Sequence, residues 1–240
     1  MSENLSIHVS PLNRSLPMIN KIDFFIAPSI DHKTHVKYEH PNVKIIDWSS
    51  IYSHFFYWST KCSHHHWLPS EAIRFLQFAC IDEHLDLHLN ENTTQIFLNA
   101  DGRTICYFVP NVGKYTVTDY NGNTIEGDST ILYDIEHAAS PYHLYVKSHR
   151  ISTITRTDNP DGPKILMIAD SMAIPWVLCL APICSTITYI DNRFHLNLSK
   201  YNLHDYDKCI ALMVNHHKIP TPSTAFVTDT VTYFANQIKR

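Results

Sequence analysis

The chain has 240 residues, enough for one domain of ordinary size or two small ones, and a single fold of that length buries roughly three quarters of its unfolded surface. A hydrophobic fraction of 44% with 18% charged residues excludes a disordered chain and a coiled coil and predicts a soluble globular protein. Nineteen Lys and Arg stand against 23 Asp and Glu, for a net charge of -4; without a basic run to neutralise a line of phosphates, nucleic acid is not an expected partner.

The first twenty residues show neither the basic nor the apolar region of a secretory signal. The longest apolar run, Met172 to Cys184, is broken by Pro175 and Pro182 and falls well short of the ~20 residues a membrane span needs. A cytoplasmic protein that does not span a membrane is the expectation. Ile22 to Ala27 is an apolar run ending in Pro28-Ser29-Ile30-Asp31-His32, and Val43 to Ile46 ends in Asp47-Trp48-Ser49; both patterns predict a buried strand followed by a loop. A helix is expected over Pro69 to Cys80. From about 94 to 146 the texture changes to alternating segments, Gln95 to Leu98, Thr104 to Phe108, Tyr115 to Thr118 and Leu144 to Val146, with hairpin signals at Asp101-Gly102 and Asn121-Gly122. This stretch reads as an antiparallel β insertion between two halves of an α/β core.

In the C-terminal third, Lys164 to Ala169 ends in Asp170-Ser171, Ile187 to Ile190 ends in Asp191-Asn192-Arg193, and Cys209 to Val214 ends in Asn215-His216-His217. Helices are expected over Met172 to Leu180 and Thr224 to Ile238. In an open α/β sheet, ligands bind at the carboxyl ends of the strands, where such polar groups would gather. The plainer reading carries equal weight, since polar residues must follow any buried strand. With no internal repeat and no low-complexity linker, residues 1–240 read as a single domain with an insertion.

Five glycines are too few for Gly-rich loops, and the dinucleotide fingerprint, the Walker loop and the lipase-type elbow are all absent. Six cysteines without a C-x-x-C pair read as reduced thiols, mostly in the core. Ser171 would sit at a strand-to-helix turn, where free backbone N–H groups and the helix dipole can stabilise an oxyanion. Against this, Asp170 or Ser171 in such a place is more often only a helix cap. Seventeen histidines are unusual, and His64-His65-His66 before Trp67 is their densest cluster. Three adjacent histidines cannot all face one metal from regular structure, and the run itself lacks the H-x-x-x-H or H-E-x-x-H spacing of a zinc site. No bound metal or cofactor is expected.

Three blocks in order resemble the alginate O-acetyltransferase group, SGNH-hydrolase-like proteins often named for a D-H-H-W motif. They are Ser63-His64-His65-His66-Trp67 with Ala72 beyond, Lys164 to Met172 (KILMIADSM), and Tyr189-Ile190-Asp191-Asn192-Arg193. The resemblance runs from about Lys21 to His217. It implies an SGNH-hydrolase-like three-layer sandwich of the α/β class, with a mostly parallel sheet and the β insertion at about 94–146. Proteins of this group use the serine of an Asp-Ser pair as nucleophile, take the acid and base of a triad from an Asp-x-His motif, and move acetyl groups onto cell-surface polysaccharides. Matched on Trp67, the resemblance makes Ser171 the nucleophile and His66 the base.

The aspartate of that triad falls at His64. A carboxylate there fixes the base's tautomer and stabilises the imidazolium, and its loss costs about 10⁴ in rate in a well-studied serine protease; a neutral histidine can still accept a hydrogen bond from His66. Arg193, in the family's D-x-R position, would clamp an anionic substrate or pair with Asp170 or Asp191, and of the two the structural pairing is favoured. Asn215 would donate to an oxyanion, and Trp67 would line the acceptor site. The relatives usually act outside the cytoplasmic membrane, so a cytoplasmic version would draw acetyl from acetyl-CoA. The expected function is transfer of acetyl through an acyl-serine to a polysaccharide or sugar hydroxyl. The rivals are a carbohydrate esterase, in which water takes the acyl group; a catalytically impaired carbohydrate-binding relative, with Trp48, Tyr57, Trp58 and Trp67 as stacking rings; and a metal protein built on the histidines.

Overall fold

The computed structural model describes residues 8–9, 22–27, 45–47, 85–86, 93–100, 103–110, 113–128, 151–169, 173, 176–177, 180–181, 183–191, 197–214 and 220–238. In chain order the strands are β1 (His8–Val9), β2 (Ile22–Ala27), β3 (Ile45–Asp47), β4 (Leu85–Asp86), β5 (Thr93–Ala100), β6 (Arg103–Pro110), β7 (Lys114–Asp119), β8 (Thr124–Asp128), β9 (Ile151–Arg156), β10 (Lys164–Ala169), β11 (Thr186–Asp191) and β12 (Lys208–Val214), followed by helix α1 (Pro220–Ile238). The helix expected over Pro69 to Cys80 and the strand expected over Leu144 to Val146 lie outside the described residues.

Eight of the strands form one open, mixed sheet in the order β3-β2-β12-β10-β11-β9-β7-β8. The first five are parallel, and β9, β7 and β8 extend the sheet antiparallel. β5 and β6 make a separate two-stranded antiparallel ladder whose last pair is Ala100 and Arg103; the hairpin signal at Asp101-Gly102 lies outside the described residues. The second expected hairpin, at Asn121-Gly122, joins β7 to β8 and belongs to the main sheet through β9. Gly122 takes φ 85° there, a left-handed conformation that glycine adopts without steric cost.

The central strands β10 and β12 are apolar after their opening lysines, the pattern of strands covered on both faces. Ile165 through Ala169 of β10 are all essentially inaccessible to water. On one face Leu166 and Ile168 of β10, Ile190 of β11, and Cys209 and Ala211 of β12 form a cluster with Leu198, Leu203, and Val231, Phe234 and Ala235 of α1. Leu198 and Leu203 come from two short 3₁₀ turns, Leu198–Lys200 and Leu203–Asp205, in the connection from β11 to β12. The connection from β10 to β11 steps the other way across the sheet, so right-handed crossovers put it on the opposite face. Its Ala173, Trp176, Val177 and Leu180 recur at helical spacing and are all buried; residues 176, 177 and 180 are helical and 173 lies in a 3₁₀ turn, in line with the helix expected over this stretch.

α1 begins four residues before the expected Thr224, at Pro220. Pro220 and Pro222 stand in its first turn, where the missing N–H has no intrahelical acceptor to lose and a fixed φ suits the helix. β8 and β9 carry no counterpart in the sequence expectations, and the three C-terminal strands differ from theirs by one residue at most at either end. No described helix is long and apolar enough to cross a membrane.

Candidate active site

Parallel pairing brings five strand ends to one edge. Ala169 lies beside Asp191 on one side and Leu212 on the other. Val214 lies beside Ala27, and Ile26 beside Asp47. Each polar cluster singled out in the sequence therefore follows a strand that ends on this edge. β10 is central to it: the connection after β10 covers one face, while those after β11 and β12 carry the side chains packed on the other. Adjacent strands whose connections leave for opposite faces open a crevice at their carboxyl ends, the usual ligand site of an open α/β sheet.

Of the expected site residues, Asp191 is described. It ends β11 and is 1% exposed; its parity with Tyr189 puts it on the face opposite Ile190, the face shared by Met167 and Ala169. Ser171, Asp170, Arg193, Asn215, His64, His66 and Trp67 lie outside the described residues. Among the described residues no three His, Cys, Asp or Glu side chains gather as a set of metal ligands; the His64 to His66 run is not among them.

A residue the sequence reading passed over stands at this edge. β9 runs antiparallel to β11 and β7 antiparallel to β9, so the turn after β7 comes to the carboxyl end of β11. There the Tyr120 hydroxyl donates to the Tyr189 carbonyl at 3.0 Å and accepts from the Asp191 backbone N–H at 3.0 Å. The turn that presents Tyr120 is organised by Asp119. Its carboxylate accepts from the Asn121 and Asn123 backbone N–H groups, both at 2.8 Å, and from the Asn123 side-chain amide at 2.9 Å. The Asn123 side chain first, and then these backbone donors, hold the Asp119 carboxyl below the usual carboxylate range. Asn-Gly announced the turn; nothing in a tyrosine before it announces a contact with a strand two ladders away.

At the opposite edge, the Arg156 guanidinium donates to Asp158 at 2.7 Å. Tyr115 of β7, 2% exposed, has its hydroxyl pushed up to about 12 by burial.

No family model matches the chain, and no curated protein matches it. Among solved structures it is similar to Bacillus cereus PatB1 carrying a sulfonyl adduct, at a TM-score of 0.56 and 17% identity over 91% of this chain and 91% of that one. A second structure of Bacillus cereus PatB1 gives 0.53 and 18% over 90% and 93%. A DHHW family protein from Eubacterium siraeum gives 0.55 and 12% over 96% and 90%. At these identities the agreement is one of fold, and it extends over nearly the whole of each chain.

Proposed function

We propose that the chain is a serine-dependent O-acyltransferase that carries an acetyl group on Ser171 and passes it to a sugar or polysaccharide hydroxyl, in a single SGNH-like three-layer domain. The observation that carries the reading is the parallel register of β10 and β11, with Ala169 beside Asp191. Ser171 and Arg193 each follow one of that pair by two residues, and two residues reach at most about 7 Å. Chain connectivity thus supports a nucleophile and a cation at one crevice. The fold shared with a DHHW family protein agrees with the motif around Trp67. A sulfonyl adduct, as borne by PatB1, is what a nucleophile leaves after attacking an electrophilic sulfonyl centre, which is the chemistry assigned to Ser171.

In this reading the Ser171 Oγ attacks the acetyl carbonyl of the donor while His66 takes its proton. The tetrahedral oxyanion is met by backbone N–H groups of the strand-to-helix turn and by the Asn215 side chain. The bond to the donor breaks, His66 returns the proton to the leaving group, and acetyl-Ser171 remains. His66 then deprotonates the acceptor hydroxyl, whose attack on acetyl-Ser171 forms the new ester and frees the serine. His64 orients His66 as a neutral acceptor, Arg193 clamps an anionic donor or acceptor, and Trp67 packs against the sugar. Asp170 and Asp191 shape the crevice. Acetyl-CoA fits the donor role chemically, as a thioester with an anionic nucleotide end.

Intact-mass spectrometry after exposure to p-nitrophenyl acetate tests the core of this. The wild type gains about 42 Da, the mass an acetyl adds in replacing a proton, and Ser171→Ala gains nothing. A wild type that stays unlabelled where a control esterase is labelled overturns the reading and favours the carbohydrate-binding alternative. Labelling that water discharges as fast with a sugar acceptor as without one makes the protein an esterase.

A further inference from the structure

We propose that Tyr120 is a positioning residue, whose hydroxyl closes the carboxyl end of β11 and so fixes the point from which the chain continues into Asn192-Arg193. The proposal rests on the acyltransferase reading, because it assigns Tyr120 its effect through Arg193. In a strand, the N–H and C=O of one residue point to the same side and those of the next residue to the other. The odd residues of β11 turn toward β9, as the Arg156 N–H donating to the Ser185 carbonyl at 2.8 Å shows. The β9 ladder runs only from Thr186 to Thr188 of β11, ending at the pair Thr188 and Thr153. The Tyr189 carbonyl and Asp191 N–H are the next groups on that side, beyond the reach of the ladder. Tyr120 meets both with one oxygen, as donor to the first and acceptor from the second.

The element that delivers Tyr120 is built for this direction. Pairing of β7 with β9 shifts register between Thr118 and Asp119, and such irregularities turn a strand and re-aim its side chains. The Ser152 hydroxyl lies 3.0 Å from the Thr118 carbonyl and 3.1 Å from that of Asp119, holding the shift in place. The Asp119 turn fixes the next residues. A strand end left to fray would let a side chain two residues on wander by an ångström or more, which is enough to matter for a group that orients substrate.

The test is Tyr120→Phe, which removes one oxygen and keeps the ring, made in the wild type and in Arg193→Ala. Acylation of Ser171 by acetyl-CoA, an anionic donor, is expected to slow by about tenfold in the wild-type background and by less than about twofold in the Arg193→Ala background. Hydrogen exchange at the Asp191 amide should quicken by about tenfold, with the amides of β10 unchanged. An equal cost in both backgrounds, an unaltered rate, or an Asp191 amide that stays protected overturns the proposal. A wild type that no acyl donor labels overturns the acyltransferase reading and the role in it, and is told apart from failure of the contact because exchange reads the Asp191 amide without any chemistry.

Discussion

At the scale of the residue, the proposed function turns on His64, the residue it assigns to the place of the triad aspartate. A carboxylate holds its charge above about pH 4, whereas a histidine accepts a hydrogen bond only while neutral. If His64 orients His66, protonating either ring as pH falls through about 6.5 should stop acylation. Restoring the carboxylate with His64→Asp should speed acyl transfer at neutral pH or carry activity to lower pH, since the imidazolium formed in the reaction gains a stabilising anion. His64→Ala should be slower than wild type while keeping the turnover that oxyanion donors and binding alone supply. Acylation rates followed from pH 5 to 9 decide this; variants that both track the wild type would leave a Ser171–His66 dyad with no third member. Tyr120 shows the converse, a residue with no signature in sequence that meets two backbone groups of another strand.

At the scale of the element, Gly162 stands where the chain turns into β10. A Cβ added there would lie 2.7 Å from the Ser185 amide nitrogen and 2.9 Å from the Cys184 carbonyl carbon, and backbone cannot move aside as a side-chain tip can. Gly162→Ala is therefore expected to cost roughly 1–3 kcal/mol by overpacking, read as a lower urea midpoint with an unchanged slope; a midpoint equal to wild type would mean that the approach relaxes freely. This contact between the start of β10 and the start of β11 cannot be read from sequence, where Gly162 is one residue of a polar turn. The strands themselves could be. KILMIA and CIALMV are continuous apolar runs, the pattern of strands buried on both faces, and they lie within a residue of the observed bounds. β8 escaped notice because Thr-Ile-Glu-Gly-Asp has neither a run nor an alternation of apolar residues, and Ile125 is 60% exposed. α1 starts four residues before Thr224, on prolines that a helix tolerates in its first turn. Of the candidate site, sequence supplied the polar residues after each strand, while their gathering on one edge depends on long-range parallel pairing, to which local periodicity is blind.

At the scale of the whole molecule, the sheet joins five parallel strands to three antiparallel ones along the seam between β11 and β9, and two tyrosines, one buried and one half-buried, make its periphery sensitive to alkali. Tyr115 of β7 is paired in register with Arg156 of β9, and burial raises its hydroxyl to about 12. Tyr233 of α1, raised by burial as well, donates to the Tyr201 carbonyl at 2.7 Å beside the face that carries Phe234 and Ala235. A group whose folded-state pKa lies above its unfolded value near 10 contributes stability that is fully present below that value and is lost as pH rises toward the folded one. Folding should therefore hold level up to about pH 9 and weaken from about pH 10 toward 12, as the unfolded chain releases tyrosine protons that the folded sheet retains. For Tyr233 the ionised oxygen also loses its role as donor to Tyr201. Urea midpoints measured from pH 8 to 11 should fall in the wild type and fall less steeply in Tyr115→Phe and in Tyr233→Phe, where there is no proton to release. A wild-type slope retained in both variants would assign the alkaline loss to other groups, and would mean that neither the β7–β9 seam nor the packing of α1 limits the stability of the sheet that carries the candidate site.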